Sequence, residues 1–148
     1  MPNNNSRTAL ISIIDDDKSV REAIKSLLRS FGLSAEAFAS AEDFLGSQRL
    51  DDAICLIVDV VMPRMSGLDL QSQLVLSNRR IPLIFISAHD DAEAKKRALE
   101  GGALAFLHKP FQEETLMRAI QSALARLEGS QLVDQDVAQF LARCNKVG

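Results

Sequence analysis

Three consecutive aspartates, Asp15, Asp16 and Asp17, directly follow the short apolar run Leu10-Ile11-Ser12-Ile13-Ile14. A fourth, Asp59, ends the apolar run Ile54-Cys55-Leu56-Ile57-Val58, and Ser87 ends Leu83-Ile84-Phe85-Ile86. Lys109 follows Ala103 to Leu107 and stands just before Pro110. Crowded carboxylates repel and raise one another's pKa unless a cation lies among them. Hard oxygen donors with room for water and a phosphate suit Mg²⁺ or Mn²⁺. Such a metal neutralises charge as a phosphoryl group arrives, so that a carboxylate can attack phosphorus. Lys109 offers a positive charge to phosphoryl oxygens and Ser87 a hydroxyl donor. An acyl phosphate on Asp59 would be hydrolysable, which suits a reversible signal.

Those residues work together only if the chain delivers them to one place. Val20, Ala23, Ile24, Leu27, Leu28 and Phe31 recur with the spacing of an amphipathic helix, and Gly32 is a stop signal. A weaker strand is expected over 34–38, nearer a sheet edge. Ser40 then caps a short helix that carries Phe44 and Leu45 inward. Helices are also expected from Gly67 to Ser77, from Asp90 or Asp91 to Glu100, and through Leu116, Ile120, Ala123, Leu124 and Leu127. Five β–α units with short connections imply an α/β domain whose parallel sheet is covered on both faces. The doubly wound order 2-1-3-4-5 places its switch point between strands 1 and 3, and ligands bind beyond their carboxyl ends. Asp15, Asp16 and Asp59 lie there.

Composition narrows the function classes. At 148 residues and 47% hydrophobic, the chain can build one ordinary core. A net charge of −3 without clustered Lys and Arg gives no footprint for nucleic acid. Cys55 and Cys144 match no metal spacing, and Cys55 inside an apolar run reads as a buried structural thiol. The polar, Asn-rich start is no signal peptide, and no apolar run approaches the length of a membrane span. A cytoplasmic protein with no membrane contact is expected.

Four segments in order, each at a strand end, resemble the response-regulator receiver domains of two-component signalling, over roughly residues 8–128. They are Ile13-Ile14-Asp15-Asp16-Asp17, Val58-Asp59-Val60-Val61-Met62-Pro63-Arg64-Met65-Ser66-Gly67, Ile86-Ser87-Ala88 and Phe106-Leu107-His108-Lys109-Pro110-Phe111. Ser40 to Leu45 and the Lys-Pro-Phe ending look most like regulators of the nitrogen-fixation and nodulation type. The resemblance implies a flavodoxin-like, CheY-like fold and a phosphoprotein whose phosphoacceptor is Asp59. Asp15, Asp16, Asp59 and the backbone carbonyl of Val61 would hold Mg²⁺. Ser87, the Ala88 backbone N–H and Lys109 would bind the phosphate, with Phe106 as an aromatic switch and a cis Lys109–Pro110 bond. The donor would be a sensor histidine kinase. A homodimer through helix 4 and strand 5 is a further implication. Phosphoryl lifetime in that family depends on the positions held here by Val61 and His89. Val61 cannot orient a water, so the phosphorylated state is expected not to be unusually short-lived.

Each residue also has a plainer reading. Asp16 could be a helix cap, Asp17 a helix-start residue and Phe106 ordinary core, while His108 reads as an exposed strand residue. Pro63 and Gly67 shape the loop after Asp59 by restricting Met62 and permitting a sharp return. The fourth helix has a thin apolar stripe of Ala94, Ala98 and Leu99, so weak docking beside Ser87 and Phe106 makes it a candidate bistable element. After Leu127, Glu128-Gly129-Ser130 breaks the helix. Residues 129–148 read as an extension or the start of a linker, with one short helix carrying Leu132, Val133, Val137, Phe140 and Leu141. Residues 1–7 read as a flexible start. That tail is too short for a helix-turn-helix domain, so this chain alone would not bind DNA, although a full-length regulator could. Two rivals stand beside the signalling switch, neither of them as well matched. A Mg²⁺-dependent phosphohydrolase would place a second acid two residues after its nucleophile, where Val61 stands. A receiver-like module that takes no phosphate would not keep all these acids, the hydroxyl and the amine. The switch is expected to catalyse only its own phosphorylation and dephosphorylation.

Overall fold

The computed structural model describes residues 9–127 and 135–147. Strands β1 (Leu10–Ile14), β2 (Ala35–Phe38), β3 (Ala53–Asp59), β4 (Leu83–Ser87) and β5 (Ala105–His108) alternate with helices. These are α1 (Lys18–Ser30), α2 (Ala41–Leu45), α3 (Gly67–Leu76), α4 (Ala92–Glu100) and α5 (Glu113–Ala125), followed by α6 (Gln135–Val147). The sheet is wholly parallel in the order β2-β1-β3-β4-β5. Every residue of β1, β3 and β4 is buried, whereas β2 and the first three residues of β5 are only half-buried at the two edges. This explains the unbroken apolar runs of the central strands, since each has helices on both faces.

The core divides accordingly. On one face Ile11, Ile13, Cys55, Ile57, Ile84 and Ile86 pack with Ile24 and Leu28 of α1 and with Leu116, Ile120 and Leu124 of α5. On the other, Ile14, Leu56, Val58 and Phe85 pack with Phe44, Leu70, Leu74, Ala94 and Ala98 from α2, α3 and α4. Cys55 is fully enclosed, and burial pushes its thiol up to about 12, so it is an inert core residue. Val137, Phe140 and Leu141 of α6 are buried in the first cluster, and Phe140 meets Phe31 edge-on at 6.3 Å between ring centres. Leu132, Val133 and the break at 128–130 lie outside the described residues, as does the start over 1–7.

Three local expectations are corrected. The apolar stripe of α1 is wider than its core-facing surface: Ala23 and Phe31 are exposed, and only Ile24 and Leu28 are buried. Leu99 does not dock α4, being 43% exposed; Ala94 and Ala98 alone are buried there. The sharp turn before α3 is made by Arg64, at φ 67°, rather than by Gly67. Gly67 is required for a different reason. A Cβ there would lie 2.6 Å from the Asp59 carbonyl oxygen and 2.9 Å from the Phe85 ring, so only glycine lets α3 start against the end of β3.

Candidate functional site

The register of the sheet converts sequence spacing into proximity. Ile14 pairs with Val58, Asp59 with Ile86, and Ser87 with His108, so the residues following each strand emerge together at the carboxyl edge. Asp17, the N-cap of α1, accepts a hydrogen bond from the Ser19 N–H at 2.8 Å, which leaves Asp15 and Asp16 facing the crevice rather than the helix. Arg21 donates to the Asp15 carbonyl oxygen at 2.8 Å and ties α1 to that turn. The sequence reading missed Arg21, whose one signal was a basic residue a turn inside the helix that follows the acids.

Asp15 is completely buried, Asp59 nearly so, and Asp16 exposed. One carboxylate oxygen from each lies within 4.8 Å of the others. Lys109 Nζ donates to Asp15 Oδ2 at 2.9 Å and to Asp59 Oδ2 at 3.3 Å. The remaining oxygens take backbone N–H groups, Asp17 to Asp15 Oδ1 at 2.8 Å and Val61 to Asp59 Oδ1 at 3.1 Å. Burial, then the negative charge of Asp15, holds the Asp59 carboxyl above its ordinary range against the opposing pull of Lys109 and the Val61 N–H. For Lys109, burial acts against the charge, but the hydrogen bond and charge of Asp15, reinforced by Asp59, outweigh it and raise the pKa. Lys109 is therefore a fixed cation. Three carboxylates against one ammonium leave the cluster over-supplied with negative charge, and oxygen is its only donor type. A hard divalent cation such as Mg²⁺ fits that donor set, with Asp15, Asp16 and Asp59 as the residues that would hold it.

The other expected residues take definite places. Ser87 is buried, and its hydroxyl is turned into the β4–α4 loop, donating to the His89 carbonyl at 3.0 Å and accepting from the His89 N–H at 3.1 Å. Ala88 and His89 are exposed beside it, and His108 is exposed at the end of β5. Phe106 is half-buried, with its ring 6.4 Å from that of Phe85. Val61 is 54% exposed at the rim of the crevice, where its apolar side chain offers no hydrogen bond to water. The Lys109–Pro110 bond is cis, as the resemblance implies. Among the described residues no helix is long and apolar enough to cross a membrane.

Comparison with known proteins agrees with this geometry. The family model described as the response regulator receiver domain matches residues 11–121. Response regulator protein TodT of Pseudomonas putida is 50% identical over 118 residues, covering 80% of this chain and 52% of the relative. Nodulation protein W of Bradyrhizobium diazoefficiens is 42% identical over 121 residues, covering 82% of this chain and 53% of the relative. The chain thus spans about half the length of the curated relatives it matches. The crystal structure of a response regulator receiver protein from Pseudoalteromonas atlantica superposes with a TM-score of 0.73 at 30% identity, covering 78% of this chain and 97% of that one. With the sheet order, the carboxylate cluster and these matches in agreement, the chain belongs to the response regulator receiver domains of two-component signalling.

Proposed function

We propose that this chain is a Mg²⁺-dependent phosphorylation switch that accepts a phosphoryl group on Asp59 from a phosphohistidine of a sensor histidine kinase. The observation that carries this reading is the pairing of Lys109 with both Asp15 and Asp59 in a crevice that also gathers Asp16. An Asp59 oxygen attacks phosphorus, the bond from phosphorus to the donor nitrogen breaks, and the new acyl phosphate remains on the chain. Asp15, Asp16 and Asp59 would hold Mg²⁺, which would supply neutralisation of the charge that builds as the phosphoryl group arrives. Lys109, already fixed at the Asp59 carboxylate, pairs with a phosphoryl oxygen without reorganising. The Ser87 hydroxyl and Ala88 N–H, one residue beyond the β4 end, supply donors once Ser87 turns from His89. That turn releases the β4–α4 loop and changes the surface of α4 and β5, including Phe106. A homodimer through α4 and β5 is the output this surface serves. DNA binding, where it occurs, belongs to a further domain of a full-length regulator.

Kinase docking is favoured on α1. A groove of about 440 Å³ is lined by Val20, Ala23, Ile24, Leu27, Pro110 and Phe111, together with the charged Lys109 and Glu113. Along α1 it exposes Ala23 between the half-buried Val20 and Leu27. Ala23→Glu is expected to slow transfer from the kinase by roughly tenfold, because a carboxylate left unpaired in an apolar interface costs at least about 1.4 kcal/mol. Labelling by acetyl phosphate should be unchanged. Equal slowing with both donors would remove α1 from the docking surface.

Val61→Asn places a hydrogen-bonding side chain where Val61 now faces solvent. The phosphorylated state is expected to decay several-fold faster, followed by loss of the phosphoryl mass with time. An unaltered rate would separate this position from hydrolysis.

Acetyl phosphate and Mg²⁺ followed by intact mass test the main reading. One adduct, lost in Asp59→Asn, supports the switch. Turnover of a phosphate ester would favour a hydrolase, and no adduct a module that takes no phosphate.

A further inference from the structure

Helix α4 is attached to the domain thinly, since Ala94 and Ala98 are its buried residues and both are small. A second attachment is polar. Gln71 of α3 is 6% exposed and donates from Nε2 to the Ala98 carbonyl oxygen at 3.0 Å. The same carbonyl accepts the Ala103 N–H at 3.0 Å, in the turn that closes α4 and leads into β5. One oxygen therefore joins α3, the end of α4 and the approach to β5. Gly101 completes the seat. A Cβ there would lie 2.8 Å from Gln71 Oε1, so the residue following the helix must be bare for the carboxamide to fit.

At its other end α4 follows a loop that the Ser87 hydroxyl ties to the His89 backbone. Phosphate capture by Ser87 would undo that end only. We propose that Gln71 is a latch: its buried amide holds the α4–β5 junction in the unswitched arrangement and so sets how readily phosphorylation of Asp59 moves it. This rests on the switch reading above. A net hydrogen bond of ordinary strength, present in one of two arrangements, shifts their ratio by about fivefold. Its loss leaves no orphaned oxygen at Ala98, because the Ala103 N–H remains.

Two variants of the full chain approach the latch from opposite sides. Gln71→Met keeps the volume and removes the donor. Gly101→Ala leaves Gln71 in place and displaces its carboxamide, the flexible end of that side chain. Amide exchange of Ala103, without any phosphoryl analogue, is expected to quicken about fivefold in both variants. Exchange at Ile13 and Ile57 in the central strands should not change. With Mg²⁺ and beryllofluoride as the phosphoryl mimic, both variants should half-saturate at about one-fifth of the wild-type concentration. General damage would weaken binding instead.

Unchanged Ala103 exchange would overturn the latch. So would faster exchange with unchanged or weaker beryllofluoride binding, which would make Gln71 a packing residue or a support of the switched state. A wild-type chain that binds no beryllofluoride would overturn the Asp59 reading. Ala103 exchange would still decide whether Gln71 holds the junction.

Discussion

Asp59→Asn is expected to abolish the phosphoryl adduct formed with acetyl phosphate and Mg²⁺, while the folded chain becomes more resistant to urea. The first effect follows from chemistry, because an amide oxygen at this position is no nucleophile towards phosphorus and the carboxylate is the attacking group. The second follows from the cost of the native residue. Burial, and then Asp15, raises the pKa of Asp59 in the folded chain. A raised pKa means that ionising Asp59 opposes folding. That penalty is absent below the unfolded-state pKa and grows as the pH rises through the folded-state value. The variant's advantage should therefore vanish in acid and grow as the pH rises. Urea midpoints at several pH values measure it. A less stable variant at neutral pH would mean that the hydrogen bonds of Asp59 with Lys109 and Val61 outweigh its burial and its repulsion by Asp15.

Lys109→Ala should be the most destabilising change at the site. Lys109 is the ion-pair partner of Asp15, whose side chain has no solvent exposure. Removing one member of a buried pair leaves an uncompensated charge, at a cost of about 3 kcal/mol. Phosphorylation from acetyl phosphate should slow by about a hundredfold, the usual effect of deleting one donor that stabilises transition-state charge. Two further measurements separate these roles. Adding Asp15→Asn should restore much of the stability by removing the stranded charge, without restoring the rate. Mg²⁺ should also stabilise Lys109→Ala more than the wild type, since a cation would again balance the carboxylates. A variant as stable as the wild type would show that Asp15 finds other compensation.

Much of this was legible in the residues. Runs such as Ile54 to Val58 are apolar at every position only when a strand is covered on both faces. Alternating β–α units with short connections imply a parallel sheet, and its order β2-β1-β3-β4-β5, the usual one for such a chain, brings Asp15, Asp16 and Asp59 to one edge. Ser87 and Lys109 were placed by the same logic, because strand ends are positions that a sequence marks with abrupt changes of polarity.

What the sequence could not determine is which face of an over-wide apolar stripe meets the core, or which long-range partner a polar side chain finds. Ala23 and Phe31 continue the period of α1 yet lie outside the core, one lining the groove beside Lys109 and the other meeting Phe140 of α6. Leu99 fits the stripe of α4 and faces solvent. Gln71 looks like a surface residue of α3 and is buried against a carbonyl 27 positions away. Periodicity records the geometry of one helix at a time. The approach of two helices is decided by the volumes between them, and only the packed chain contains that information. The sequence by itself thus determined the sheet and the acids, hydroxyl and amine at its edge. The tertiary structure decided how Lys109 is shared between Asp15 and Asp59, and how Gln71 reaches α4.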